Sequence, residues 1–142
     1  MDDKWLQEKN VANRIRGFLE RQKCVTREFN DNRPEHGYRI VADTDRSVRI
    51  VVEVRGGYLG KVSSSVAKGQ IKKWFADALL ELVIERSVYS VESVKIIAFG
   101  LPDIEFYREL VSDISYARRR LALSCYFVKE DESIEEVIPI GK

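Results

Sequence analysis

The segment from residue 48 to residue 99 reads as strand, long helix, strand, and this order constrains the fold more than any other feature of the sequence. Val48 to Arg55 is a mostly apolar run that predicts a buried central strand. Apolar residues then return at helical spacing from Val66 to Arg86, and Val94 to Phe99 predicts the next strand. A strand, helix, strand connection within one sheet makes the two strands parallel. We therefore expect an α/β domain whose sheet contains a parallel pair.

Shorter elements surround this unit. Apolar periodicity and turn residues predict a first helix at 5–22, strands at 24–29 and 38–43, a further helix at 104–121, and closing strands at 123–128 and 134–140. The strand at 38–43 and the central strand form a hairpin across the turn at 44–47. The predicted order is α-β-β-β-α-β-α-β-β, a mixed central sheet flanked by helices. Without a repeat or a linker, residues 1–142 are expected to form a single domain.

Composition excludes several classes of function. The chain has 142 residues, of which 44% are hydrophobic and 33% charged, as expected for one soluble domain with its own core. Its net charge of +1 argues against a protein that coats nucleic acid nonspecifically, although a local basic patch remains compatible with it. A single histidine, His36, excludes sites that need several imidazoles, and two cysteines without CxxC spacing predict neither a zinc site nor a disulfide framework.

The sequence also predicts a location. No apolar run approaches the roughly 18 residues that cross a bilayer. The acidic start, Met1 to Trp5, lacks the basic and apolar regions of a secretory signal. We therefore expect a cytoplasmic protein with no membrane contact.

An acidic and a basic residue, Glu53 and Arg55, lie two positions apart at the end of the central strand. Alternation places Arg49, Val51, Glu53 and Arg55 on one face of it, and two glycines follow. A carboxylate that holds a metal ion and a cation beside it are the groups that metal-dependent phosphodiester hydrolysis requires. The alternative is an ordinary surface ion pair on a half-buried strand, which the spacing alone also fits.

The segment Val52-Glu53-Val54-Arg55-Gly56, preceded by Gly37-Tyr38-Arg39-Ile40 and followed by Gln70 near the start of the long helix, resembles the PD-(D/E)XK nuclease superfamily. Those segments are similar to the family's E-x-K-G strand, its G-Y-D-I strand and its glutamine-bearing helix. The resemblance runs from about Arg14 to Val137 and rests mainly on the order of the elements. It implies a restriction-endonuclease-like fold and a site that binds Mg²⁺ or Mn²⁺.

Two residues depart from the family pattern. Arg39 stands where the family has its first metal-binding aspartate, and Arg55 stands where it has the catalytic lysine. A guanidinium repels a divalent ion and does not lose its proton. If the site is active, the resemblance implies that Glu53 and a displaced carboxylate, Asp43, hold the metal, while Glu53, Arg55 and Gln70 are the catalytic residues. The alternative for Asp43 is ordinary hairpin turn chemistry.

Basic residues near this strand predict a nucleic-acid surface. Arg39, Lys61, Lys68 and Lys72 are the candidates for phosphate contacts, with solvated surface charge as the alternative. Three functions remain open. The chain is either a catalytically degenerate nuclease-like domain that binds DNA, RNA or a partner, or an active Mg²⁺-dependent endonuclease with a rearranged site, or a protein-interaction subunit. The last would be, for example, a homodimer formed through a sheet edge or through the long helix.

Overall fold

Six strands lie side by side in the order in which they occur along the chain. The computed structural model describes residues 4–30, 37–57, 64–87 and 95–139. The strands are β1 Val25–Asn30, β2 Tyr38–Asp43, β3 Arg49–Val54, β4 Lys95–Pro102, β5 Leu123–Val128 and β6 Ile134–Val137. β1, β2 and β3 pair antiparallel, β3, β4 and β5 pair parallel, and β6 pairs antiparallel with β5. The predicted mixed sheet with a parallel crossover after β3 is confirmed.

Helices cover both faces of the sheet. A short 3-10 turn, Lys4–Leu6, precedes α1, Glu8–Arg21; the others are α2, Ser64–Ser87, α3, Glu105–Asp113, and α4, Ser115–Leu121. One core lies between α1 and a sheet face that includes Ile40, Val52 and Ala98. A second core lies between α2, α3 and the opposite face, which includes Phe99 and Phe127. The chain is therefore an α/β protein with a mixed sheet between helices, as the apolar pattern predicts.

The predicted helix at 104–121 is wrong in one respect, because it is two helices separated at Ile114. The segment Ser112-Asp113-Ile114-Ser115 contains residues with weak helix propensity, three of them able to hydrogen-bond their own backbone. The last strand is also shorter than predicted and ends at Val137. None of the helices in the described ranges has the length and apolar character that a membrane span requires.

Candidate functional site

Glu53 of β3 and Arg55, which directly follows that strand, place two charged side chains in the interior of the protein. Glu53 has 0% and Arg55 has 1% of its surface exposed, so the pair is buried and does not form the surface ion pair considered from the sequence. Both face α2 because they alternate with Val52 and Val54, which belong to the core beneath α1. Buried charges persist only when they are paired and hydrogen-bonded, so their partners define the site.

Both carboxylate oxygens of Glu53 accept hydrogen bonds from arginines. Arg39 of β2 donates from Nη1 to Oε2 at 2.8 Å, and Arg55 donates from Nη1 to Oε1 at 3.3 Å. Arg39 and Glu53 are cross-strand partners in the β2–β3 register, which brings their side chains together. Arg39 thus contacts the carboxylate of Glu53, which the sequence predicted as a metal ligand.

The long helix supplies the acidic partners of the two arginines. Arg55 Nη2 donates to Asp77 Oδ2 at 2.9 Å, and Arg39 Nη2 donates to Glu85. Glu85 also accepts a hydrogen bond from Lys95 at the start of β4. We call this set the β3–α2 ion cluster; its members are three cations and three carboxylates, Arg39, Arg55, Lys95, Glu53, Asp77 and Glu85. Their formal charges cancel, which stabilises each charge in a poorly solvated place.

The ion cluster shifts the pKa values of Arg39 and Glu85. Burial lowers the pKa of Arg39, but hydrogen bonds to Glu85 and Glu53 and the attraction of both carboxylates outweigh burial and raise it. Burial raises the pKa of Glu85. The hydrogen bonds and charges of Lys95 and Arg39 lower that pKa by a larger amount, so the pKa of Glu85 lies below its ordinary value. Both residues are therefore held in their charged forms.

The chain is tightly packed where β3 ends. Gly56 donates its N–H to Glu8 Oε1 at 3.3 Å, and its carbonyl accepts the hydroxyl of the buried Tyr107 at 2.8 Å. A Cβ at Gly56 would come within 2.8 Å of the backbone of Glu8 and of Leu6. Glycine is required here because the start of α1 approaches the chain so closely. Glu8 thus lies at the carboxyl end of β3 beside the ion cluster.

Asp43 lies apart from Glu53. It accepts hydrogen bonds from Arg27 at 2.9 Å and from Arg49 at 3.1 Å, and the bonds from Arg49 and then Arg27 are the main reasons that its pKa is lowered. Asp43 is four residues along β2 from Arg39, a separation of about 13 Å at the rise of a strand. The structure therefore gives Asp43 two arginine partners of its own and does not bring it to Glu53.

The other predicted residues are spread along α2. Lys68 and Lys72 are exposed, and Lys68 Nζ lies 5.5 Å from the centre of the Phe106 ring. Arg39 contacts α2 at Glu85, which is about 20 Å along the helix from Lys72. Arg39 therefore lies apart from the two lysines, although all were predicted to bind nucleic acid together. Gln70 is half-buried, one turn before the core-packed Trp74 and about 10 Å along α2 from Asp77. Lys61 and His36 lie outside the described residues.

The residues around Glu53 do not fit a divalent metal ion. Two guanidinium groups occupy the carboxylate oxygens that the ion would need, and the second predicted ligand, Asp43, is elsewhere. Throughout residues 4–30, 37–57, 64–87 and 95–139, no three histidine, cysteine, aspartate or glutamate side chains come close enough together to hold a metal. A divalent ion prefers several oxygen ligands, whereas two cations beside one carboxylate repel it.

Sequence analysis missed three members of the ion cluster, Asp77, Glu85 and Lys95. A signal for two of them was present, because Asp77, Glu81 and Glu85 recur at four-residue spacing along one side of α2. An acidic stripe on a helix that covers a strand face carrying arginines indicates ion pairing across the interface. No protein-family model, curated protein or solved structure significantly matches this chain, so its fold and its site rest on the residues themselves.

Proposed function

We propose that this chain is a nuclease-like domain of the restriction-endonuclease-like fold that has lost metal-dependent cleavage and binds nucleic acid. One observation carries the proposal: Arg39 and Arg55 bind both oxygens of the buried Glu53 carboxylate. In the family that the sequence resembles, this carboxylate holds the catalytic metal ion.

The arrangement of elements supports the proposed fold. A first helix, three antiparallel strands, a long helix and a parallel fourth strand follow each other along the chain. The same order underlies the resemblance in the sequence. Glu53 lies on the third of these strands, the strand to which the resemblance assigns the catalytic carboxylate.

The ion cluster supports the loss of catalysis. Arg55 stands in place of a lysine, and a guanidinium remains protonated at any physiological pH, so it has no proton-accepting role. Arg39 adds a positive charge where the metal would need a carboxylate. A rearranged active site that uses Asp43 is not favoured. Asp43 lies about 13 Å along β2 from Arg39, and its carboxylate is bound to Arg27 and Arg49.

Exposed lysines support a nucleic-acid surface on the first half of α2. Lys68, Lys72 and Lys73 fall within six residues of one another, and all three are exposed. Phosphate groups are bound by such clustered cations, with an affinity that falls as salt rises. Arg39 and Arg55 do not belong to this surface because their guanidinium groups are bound to carboxylates.

Cleavage assays test the loss of catalysis. Purified protein is incubated with DNA or RNA in Mg²⁺ or Mn²⁺, beside a Glu53→Gln variant. The amide keeps the size of the carboxylate and one acceptor oxygen, so this variant is the control that best preserves the fold. We expect no cleavage by the wild type above the variant. Cleavage that disappears in Glu53→Gln would show instead that the protein is an active endonuclease.

Fluorescence anisotropy with labelled DNA and RNA tests the binding surface. Each lysine that contacts a phosphate adds about 1 to the slope of log affinity against log salt, so Lys68→Glu with Lys72→Glu should lower the slope by about 2. Lys9→Glu with Lys23→Glu is the matched control, because both are exposed lysines and the change in net charge is the same. Equal effects of the two double variants would show that the α2 lysines are not the binding surface.

A further inference from the structure

The outer face of α2 presents apolar side chains to solvent. Val66, Gly69, Lys73, Ala76, Leu80 and Ile84 recur every three or four residues on the side away from the sheet, and we call them the α2 outer stripe. Val66 is 55%, Leu80 is 56% and Ile84 is 46% exposed. Single exposed apolar residues are common on protein surfaces, but an apolar line along a helix is typical of a contact surface.

Gly69 is not explained by the packing of the monomer. Apart from its chain neighbours and the backbone of α2 itself, no heavy atom of the described residues lies within 4 Å of the position that a Cβ at Gly69 would take. Glycine inside a helix lowers helix stability relative to alanine, so a glycine there usually has a packing reason. At Gly37, Gly56 and Gly100 this reason is a close contact within the chain. At Gly69 the open side faces solvent.

We propose that a second copy of this chain packs antiparallel on the α2 outer stripe. The stripe has a small end at Gly69 and a bulky end at Leu80 and Ile84. An antiparallel two-fold arrangement places the bulky end of each copy against the small end of the other, with Ile84 facing Gly69. A parallel pair would leave the small ends facing each other with a gap between them.

Charge complementarity favours the same arrangement. Lys73 is the one charged member of the stripe, and in the antiparallel register it faces Leu80 of the other copy. It then lies beside Glu81, a carboxylate on the adjoining edge of that helix. Antiparallel helices also align their dipoles favourably. A second copy thus supplies both the shape and the charge that the stripe lacks.

The area of the contact sets the expected strength. α2 has 24 residues and is about 36 Å long, and a strip about 10 Å wide along it covers roughly 360 Å² per copy. Twice that area is below the roughly 1,200 Å² of a standard stable interface. We therefore expect a dimer that forms reversibly and depends on protein concentration.

Sedimentation equilibrium over a hundredfold range of concentration tests this proposal. The average mass of the wild type should rise toward twice the monomer mass. Gly69→Leu should raise the melting temperature measured in dilute solution, because leucine favours the helix and has open space. It should also weaken dimerisation by about tenfold or more, because each substitution appears twice in a symmetric interface. Leu80→Glu should weaken dimerisation likewise.

Glu109→Leu is the control, since it adds an exposed leucine to α3 away from the stripe. This variant should associate like the wild type. A wild type that remains monomeric at every concentration would overturn the proposal. Association that persists unchanged in Gly69→Leu would overturn it too, because another surface would then be responsible.

Discussion

At the scale of single residues, Glu53 is a charged side chain in the protein core, where a charge is stable only if it is paired. Its carboxylate is completely buried, which costs several kcal/mol of lost hydration. The two arginines offset this cost by binding both oxygens. The same contacts that argue against a metal site therefore make Glu53 part of what holds β2, β3 and α2 together.

Removing the Glu53 carboxylate should destabilise the fold markedly. Glu53→Ala leaves Arg39 and Arg55 close together without the anion between them, and breaking a buried ion pair in this way costs about 3–5 kcal/mol. Glu53→Gln should cost less because its amide oxygen still accepts one hydrogen bond. Urea unfolding of both variants measures the difference. Equal and small losses would mean that the ion cluster adds little to stability.

If the proposed function is right, introducing the residues of the nuclease family that the sequence resembles should create a metal site. Arg39→Asp places a carboxylate opposite Glu53, with the two Cβ atoms about 5 Å apart, and Arg55→Lys keeps the charge that faces Asp77. Within the described part of the chain, Arg55 Nε has no hydrogen-bond partner, so lysine leaves one fewer unsatisfied donor.

We expect the Arg39→Asp, Arg55→Lys variant to be less stable than the wild type without metal. Its melting temperature should rise with Mn²⁺ concentration, since an ion that binds only the folded state stabilises it by mass action. Arg55→Lys alone is the control and should not respond to Mn²⁺. A double variant that folds but shows no response would mean that position 39 is not the missing metal-ligand position.

At the scale of elements, the spacing of α1 from the sheet is set by β4. A Cβ at Gly100 would clash with Ile15 Cδ1 and lie 3.0 Å from Val52 Cγ1, so a side chain there would force Ile15 or the helix that carries it to shift. Gly100 and Gly69 are thus opposite cases. The first glycine makes room for a helix within the chain, and the second leaves open space on its surface.

The same substitution at these two glycines should have opposite effects. Gly100→Ala overpacks the core beneath α1 and should destabilise the protein by about 1–3 kcal/mol. The methyl group of Gly69→Ala would occupy open space beside α2, so this variant should stabilise the protein by about 0.5–1 kcal/mol through helix propensity. Thermal unfolding in dilute solution compares them. A destabilising Gly69→Ala would show that the monomer itself requires this glycine.

The edge strands limit where a second copy can pair. β1 contains an irregularity between Thr26 and Glu28, and β6 has only four residues, two of them the glutamates Glu135 and Glu136. Bulges, short edge strands and charges all discourage pairing between sheets. Of the two dimer surfaces expected from the sequence, the long helix is therefore the better supported.

Local patterns predicted the elements better than their ends. Apolar periodicity gave the order of the strands and helices, because each element buries one face and its period is visible in the sequence. The break at Ile114 was missed, since the apolar spacing continues across it into Ala117. The hydrogen-bonding competition of nearby serines and aspartate, which ends the helix there, carries no apolar signal.

At the scale of the whole molecule, the candidate site could be predicted only in part. Alternation along β3 correctly placed Glu53 and Arg55 on one face. Their partners Arg39 and Asp77 come from β2 and α2, and nothing in the local sequence specifies which distant carboxylate meets which arginine. The burial of the pair was missed for the same reason, because it depends on how α2 lies across the sheet.

The ion cluster also predicts how the stability of the molecule depends on pH. The pKa of Glu85 is lowered in the folded state: burial raises it, but the bonds from Lys95 and Arg39 outweigh burial. A carboxylate with a lowered folded pKa stabilises the fold fully above its ordinary value of 4.5 and loses that contribution as the pH falls through the lower folded value. Asp43 contributes with the same sign. Stability should therefore decline as the pH falls below about 4.5.

Glu85→Gln separates this contribution from general acid unfolding. The variant cannot ionise, so it should be less stable than the wild type at neutral pH, and the difference should shrink as the pH falls below 4.5, because the wild-type carboxylate becomes protonated as well. Urea unfolding at a series of pH values measures the two curves. Glu109→Gln, at an exposed position of α3, is the matched control and should follow the wild type throughout.

If the curves of Glu85→Gln and the wild type stayed parallel down to acidic pH, the ion pairs of Glu85 would not be the source of the pH dependence. The link between α2 and the sheet would then rest on the ion pair of Arg55 with Asp77 and on apolar packing, as in the core around Phe75 and Phe99.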